Sequence, residues 1–462
     1  MNAEQKQRKS FIIMISTIAA TGGLLFGFDT GVISGALNFL QEGWQLSPSQ
    51  LEWVTSSVLV GAVIGAASSG RITDMLGRKK VILITAFIFG AGSIMTGLAP
   101  TVELLVVGRI VIGVAIGIAS FAVPLYISEI SPKKNRGALV TMNQLMITIG
   151  ILASYISDYV IADDSNLESW RWMFLIGFFP AVVLFIGMLF LPATPRWLMS
   201  KNRYAESLAV LKRIEDPALV DKVFEEMKFE AEKSNEAPIS SSEILKPWLR
   251  SALIIGVGIM LIQQLSGINT IIYYSPVIFK MAGFASNTGS ILPAVIVGTV
   301  NVLFTVLSIV LLDRVGRRPI YLVGLGGMVI ALMAIGAGFF FENTLGDAIK
   351  IATVGGMLLY IAFFAVSLGP LGWLLCSEIY PLSIRGVGMS IGSLSNWFFN
   401  LIVAFTFLKL VNAFSVAGAF WLYAAIGVLG LVWGYFFIPE TKGHSLEDIE
   451  EHWRSGRKPL EL

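Results

Sequence analysis

Gln263, Gln264 and Asn269, followed closely by Tyr273 and Tyr274, interrupt a stretch of sequence otherwise apolar enough to cross a bilayer. A polar group buried in hydrocarbon without a partner costs about 2–7 kcal/mol, so this cluster needs either facing helices that satisfy it or a polar guest. A carboxamide offers a donor and an acceptor together, which matches neighbouring hydroxyls that can play either part. A phosphate or carboxylate guest would instead recruit Arg or Lys. The chemistry implied is reversible recognition of a neutral, hydroxylated molecule. No Ser-His pair, paired acid or metal-ligand arrangement stands in the apolar stretches to argue for an enzyme.

Two ionisable residues also lie deep in apolar stretches, Asp29 in GLLFGFDTGVISG and Arg109 in GRIVIGVAIG. Such groups are costly inside a membrane and default to a functional role with a named partner. At 1.5 Å per residue, Asp29 lies roughly 27 Å from the edge near Phe11 and Arg109 about 9 Å from the edge near Glu103. With antiparallel spans both fall in the same half of the membrane, where they can meet. Burial favours the neutral carboxyl and the guanidinium favours the carboxylate, so protonation would loosen the pair and free its helices to rearrange. A static buried pair is the alternative.

The elements that must position these residues are set by hydropathy. Of 462 residues, 55% are hydrophobic and 14% charged, and the charges collect in short loops between twelve apolar runs near 11–37, 51–70, 81–99, 103–127, 138–160, 171–191, 251–282, 289–312, 320–341, 350–376, 387–411 and 417–438. Each is close to the roughly 20 residues that cross about 30 Å of hydrocarbon. This is an all-α, twelve-span membrane protein, with the lipid bilayer as its first partner. The net charge of +2 gives no argument for nucleic acid. Its placement matters more: Arg71, Arg78, Lys79 and Lys80, then Lys133, Lys134 and Arg136, then Arg314, Arg317 and Arg318 all mark one face, and the positive-inside rule makes that face and both termini cytoplasmic in a plasma or inner membrane. The first apolar run is too long for a signal peptide and reads as a retained helix. Cys376 is alone and cannot form an intramolecular disulfide. Both histidines, His444 and His452, lie in the polar tail, so no histidine metal site is expected in the spans.

On a helix advancing about 100° per residue, Asn269 and Tyr273 lie roughly 40° apart, but Gln263 and Asn269 lie about 120° apart. For all to face one guest, the span must break, and Ser266-Gly267 is the place because glycine tolerates it. Interhelical glue is the competing use of such amides. Elsewhere, Gly61 and Gly65, and Gly113 and Gly117, have the spacing that lets helices approach closely.

The chain reads as two six-span halves, 1–195 and 248–440, joined by a charged linker at 196–247 and followed by a tail at 441–462. In the linker Leu208, Leu211 and Ile214 recur at helical spacing among charges, which fits short amphipathic helices or a solvated spacer. Similar words recur in the two halves: Asp74 and Arg78 answer to Asp313 with Arg314 and Arg317, while Glu129 with Arg136 answers to Glu378 with Arg385. Such duplication marks secondary transporters that hold substrate at the midplane between repeats. The charges could form a latch at the basic face, with Arg71, Arg78, Arg314 and Arg317 as partners for Glu129 and Glu378, or simply set topology.

The words GRITDMLGRKK, PLYISEISPKKNRG, QQLSGINTIIYYSP, LLDRVGRRP, SEIYPLSIRG and IPETKG are similar to those of the sugar porter family of the major facilitator superfamily, along nearly the whole chain. The resemblance is to bacterial proton-coupled glucose and xylose transporters and, more distantly, to mammalian facilitative glucose transporters. It implies a monosaccharide as substrate and the proton as coupling ion, with no cofactor and a monomer as functional unit. It also implies sugar contacts from Gln144, Gln263, Gln264, Asn269, Asn301, Trp373, Asn396 and Trp397, an outer gate from Tyr273 and Tyr274, and proton coupling through Asp29 and Arg109, since the mammalian facilitator has asparagine in place of the aspartate. The sequence departs from the family pattern twice. Pro192-Ala193-Thr194-Pro195-Arg196 lacks the glutamate of the family word, and Ala365 stands where mammalian facilitators have glutamate. The expectation is a proton-coupled importer of a hexose, glucose first and xylose behind, working by alternating access. A uniporter of the same fold is the alternative, and a transporter-like sugar sensor a distant one.

Overall fold

The computed structural model describes residues 3–132, 136–236, 246–381, 384–444 and 446–462. In the first half the spans are Ala3–Trp44, Pro48–Leu76, Arg78–Gly97, Val102–Ile130 and Arg136–Ile161, with a sixth made of two pieces, Ser169–Ile176 and Phe178–Phe190. In the second half they begin with the pair Arg250–Leu265 and Ile268–Met281, followed by Asn287–Val315, Arg317–Phe340 and the pair Ala348–Val366 and Leu368–Ile379. The last helical stretch, Arg385–Phe437, has 53 residues and would reach roughly 80 Å if straight. It turns back at Ser415, whose φ of 69° and ψ of 170° are not helical, so it holds the eleventh and twelfth spans. The twelve runs expected from hydropathy are therefore all present.

Helix starts follow local chemistry. The second span opens on a capping box, in which the Ser47 side chain accepts from the Gln50 backbone and Gln50 returns the bond, with Pro48 at the first helical position. Thr101 and Ser286 cap the fourth and eighth spans through their hydroxyls. Large apolar side chains such as Phe87, Ile330 and Leu429 are left exposed on the helix surfaces, as a lipid-facing belt requires.

Within the first half, the first span packs along the fifth and the second along the fourth. The second–fourth contact uses the glycines picked out by their spacing: a Cβ on Gly61 would lie 2.1 Å from the Ile110 carbonyl, and one on Gly113 would lie 1.9 Å from that of Val58. Between halves, the fifth span packs on the eighth, the second on the eleventh, and the first on the outer piece of the seventh. These seams enclose the midplane.

Of the two linker alternatives, the structure shows helices, Pro195–Ser200, Tyr204–Ile214 and Val220–Glu236. Leu211 and Ile214 are buried while the charged face stays exposed. The tail also carries a docked helix, Leu446–Arg454, whose Trp453 is buried and donates its indole N–H to the Ile379 carbonyl at 3.0 Å.

Candidate functional site

The seventh span breaks at Gly267, where φ is 91° and ψ 16°. This left-handed conformation is open to glycine at little cost, and a Cβ there would also lie 2.9 Å from the Tyr423 ring. Backbone groups freed inside a membrane must find partners. Tyr360 supplies one, donating its hydroxyl to the Ser266 carbonyl at 3.0 Å.

Across this break runs a chain of amides. Asn269 donates to the Gln264 carbonyl oxygen, and Gln264 donates to that of Gln263 at 3.4 Å. Asn396, from the eleventh span, donates to the same Gln263 oxygen at 2.6 Å. The Gln263 amino group then reaches the backbone carbonyls of Leu368 and Gly369 at 2.6 and 3.3 Å. Those carbonyls lie beside a second break, at Ser367 of the tenth span, which the sequence reading missed. Pro370, lacking an N–H inside an apolar run, was the signal that could have found it. Four of the expected sugar contacts thus form one buried, hydrogen-bonded group joining three spans, in neither lipid nor separate seams.

Gln144, Asn301 and Trp373 are not hydrogen-bonded to that group among the described residues. Gln144 and Trp373 are half-buried and Asn301 is buried, the first and last on the fifth and eighth spans, which pack together. Trp397 is buried, lies tilted against Phe26 with ring centroids 4.9 Å apart, and donates its indole N–H to Ser120 at 3.2 Å. It ties the eleventh span to the first half.

Tyr273 and Tyr274 face the eleventh span. Asn400 donates to the Tyr273 hydroxyl at 3.1 Å, and Tyr274 donates to the Ala404 carbonyl at 2.9 Å. Asn400 was not singled out in the sequence, although its i+4 spacing from Asn396 places both on one helix face. Tyr273 also lies beside Thr30 and within the field of Asp29 and Arg109. The ion pair is formed, with Arg109 Nη1 3.2 Å from Asp29 Oδ1 and both side chains buried. Arg109 Nε donates to the Val54 carbonyl at 2.9 Å, fixing the guanidinium against the second span.

At the basic face each half holds its own network. Arg78 meets Glu129 at 3.0 Å and exposed Asp74 at 3.0 Å. Arg317 binds Glu378 through two nitrogens at 2.7 and 3.1 Å. Thr441 adds a hydroxyl to Glu378 at 2.6 Å, and Glu440 accepts from the backbone N–H groups of Arg317 and Arg318. Glu440 and Thr441 belong to the IPETKG word and were not assigned to the network from sequence. Arg71 and Arg314, weighed as partners for the two glutamates, are exposed and form no ion pair among the described residues. Arg385 opens the eleventh span, half-buried. Arg136 opens the fifth span, and its side chain and that of Asp313 lie outside the described residues.

The sequence pattern of the sugar (and other) transporter family matches residues 15–453. The chain belongs to that family. Its relatives include a galactose-proton symporter of Escherichia coli strain K12, 39% identical over 99% of this chain and 97% of the relative. Another is the glucose transporter GlcP of Staphylococcus epidermidis, 38% identical over 96% of this chain and 97% of that one. Among solved structures, the major facilitator superfamily proton:xylose symporter XylE bound to 6-bromo-6-deoxy-D-glucose superposes with a TM-score of 0.82 at 34% identity, covering 96% of this chain and 100% of that chain. This sugar transporter therefore has the major facilitator fold and is a multi-pass membrane protein. In that fold, breaks in the seventh and tenth spans expose polar backbone only where it lines protein or a water-filled path.

At the end opposite the basic face, the two halves are clasped together. Glu42 accepts from Lys280 and Asn287, Asp164 accepts from the Thr288 backbone at 3.1 Å, Asn38 donates to Ser290 at 3.1 Å, and Glu52 takes the Lys409 backbone N–H at 3.0 Å. Tyr155 donates to the Ile272 carbonyl at 2.8 Å. That end is closed.

Proposed function

We propose that the protein is a proton-coupled importer of a neutral monosaccharide, a hexose with glucose first and xylose behind, working by alternating access of its two halves. The basic face, the linker and both termini are cytoplasmic on this reading, so the closed end is the outer one. The observation that carries it is the position of Tyr273: one broken span bears the amide chain, and its next turn lies within the electrostatic field of the buried Asp29–Arg109 pair. Loss of the ionic attraction on protonation of Asp29 would be felt directly by the span that holds the sugar.

Gln263, Gln264, Asn269 and Asn396 would exchange their mutual hydrogen bonds for sugar hydroxyls, with Gln144 and Asn301 closing from the facing spans and Trp373 and Trp397 offering flat apolar faces to the C–H side of a pyranose. Tyr273 and Tyr274 would move with the outer piece of the seventh span as a gate. The relatives' names support sugar and proton as the coupled pair, and the neutral amide set supports a substrate without charge.

Proteoliposomes loaded with buffer and given radiolabelled glucose, galactose, xylose or arabinose test this, with and without an inward pH gradient. Accumulation above the outside concentration only with the gradient is expected. Equilibration indifferent to the gradient would make the protein a uniporter.

A further inference from the structure

A second carboxyl, outside the site just described, is buried without a counter-ion among the described residues. Asp158 lies one turn from the outer end of the fifth span and is fully buried, and among the described residues neither of its oxygens has a side-chain partner, with only the Gly35 backbone against it. It rests on the bare backbone of the first span, since a Cβ on Gly35 would come within 2.4 Å of Asp158 Oδ2. The cations of the outer half are each engaged elsewhere. Arg109 serves Asp29 and the Val54 carbonyl, and Arg171 serves Glu168 and the carbonyls of Gly97 and Ala99. Lys280 serves Glu42 and Asn287, Lys350 serves Asp347, and Lys409 serves Glu52.

The other titratable groups on the packed elements give Asp158 no counter-charge. Tyr155, one turn earlier on the same span, spends its proton on the Ile272 carbonyl of the other half. Asp29 and Glu42 on the first span are paired, Glu103 on the fourth span is an anion, and Asp163 and Asp164 in the adjoining loop bind Ser165 and the Thr288 backbone. A carboxylate with no cation and no side-chain donor in such a place is far costlier than its neutral form.

We propose that Asp158 is a second proton-binding site of this transporter, holding a proton while the outer face is closed and releasing it to outside water when that face opens. The inference rests on the proposed transport reading for its orientation. Opening must part Tyr155 from Ile272, and that separation admits water to the turn that carries Asp158. The step is a simple proton exchange between the carboxyl and water. Its sign follows: closure takes up a proton, so it is favoured at low outside pH and lost as outside pH rises, by at most about tenfold per pH unit for one proton.

Infrared spectroscopy of the purified protein in lipid, without sugar, reads the carboxyl directly. The C=O stretching band of a protonated acid is expected in the wild type at neutral pH and is expected to shrink in Asp158→Asn; identical bands in the two proteins overturn the proposal. Labelled-glucose exchange in proteoliposomes is the second measurement. Wild-type exchange should fall as outside pH rises, by up to about tenfold per unit, with that fall weakened in Asp158→Asn; superimposable profiles overturn it. The infrared measurement needs no sugar, so its failure is distinguishable from failure of the transport reading. Should Asp158→Asn not fold, Asp158→Ser, smaller than the space it would occupy, carries both measurements.

Discussion

The two halves share a plan at the basic face and differ inside the membrane. In the first half the membrane interior holds ionisable groups, with Arg109 against Asp29 and Asp158 without a counter-ion among the described residues. In the second half it holds amides and hydroxyls, with Gln263, Gln264, Asn269, Asn396 and Asn400 linked to one another or to Tyr273. The charged words at the basic face recur in both halves while the buried chemistry differs, so that on the proposed reading one half handles the proton and the other the neutral guest. The basic-face networks differ too. Glu440 caps the start of the ninth span in the second half, whereas Ala193 occupies the corresponding word in the first, and Trp197 lies against Gly77 at the start of the third span.

The sharpest way to break this division is Asp29→Asn. Uphill accumulation of sugar should be lost at every pH while counterflow persists; accumulation that survives would falsify the assignment of the proton to the first half. Next in size is Gln263→Ala in the second half, which strips bonds from Asn396, Gln264 and two backbone carbonyls. Leaving such groups unpaired costs about 1–3 kcal/mol, and sugar binding measured by calorimetry should weaken on the order of ten- to a hundredfold, with proton dependence retained. Loss of coupling instead would place both tasks in one half.

The basic-face ion pairs allow a smaller test. Glu378→Gln removes a two-nitrogen Arg317 bridge and leaves the Thr441 hydroxyl a weaker acceptor, so it should lower thermal stability by about 1–3 kcal/mol, more than Glu129→Gln does. Equal shifts in melting temperature would show that the richer contacts of the second network contribute nothing. The smallest effect is expected from Ala193→Glu, which offers the third span the cap that Glu440 gives the ninth. A gain of about 0.5–1 kcal/mol is reasonable for a carboxylate at a helix start, read by thermal unfolding in detergent, and a loss would mean that Trp197 already fills the place.

Legibility differed by the range of the interaction that decides each feature. The break at Ser266-Gly267 could be placed because angular spacing and glycine's tolerance are properties of a few adjacent residues. The break at Ser367 depended on the same local logic, carried by Pro370, and was missed. Asp29 and Arg109 could be matched by counting depth along antiparallel spans. Asp158 gave the same signal, a lone carboxylate in an apolar run, and was missed. Trp397 was expected beside sugar, and its bond to Ser120 could not be foreseen from residues 277 positions apart.

The sequence alone determined the number of spans, their polarity relative to the basic loops, and the chemical type of the buried groups, because hydropathy and hydrogen-bonding capacity belong to the residues themselves. Only the tertiary structure decided which arginine answers which glutamate, that four amides share one chain of bonds, and that Asp158 has no cation among the described residues. Those outcomes are set by distances between helices far apart in the chain, and a few ångströms of packing separate a satisfied buried charge from an orphaned one.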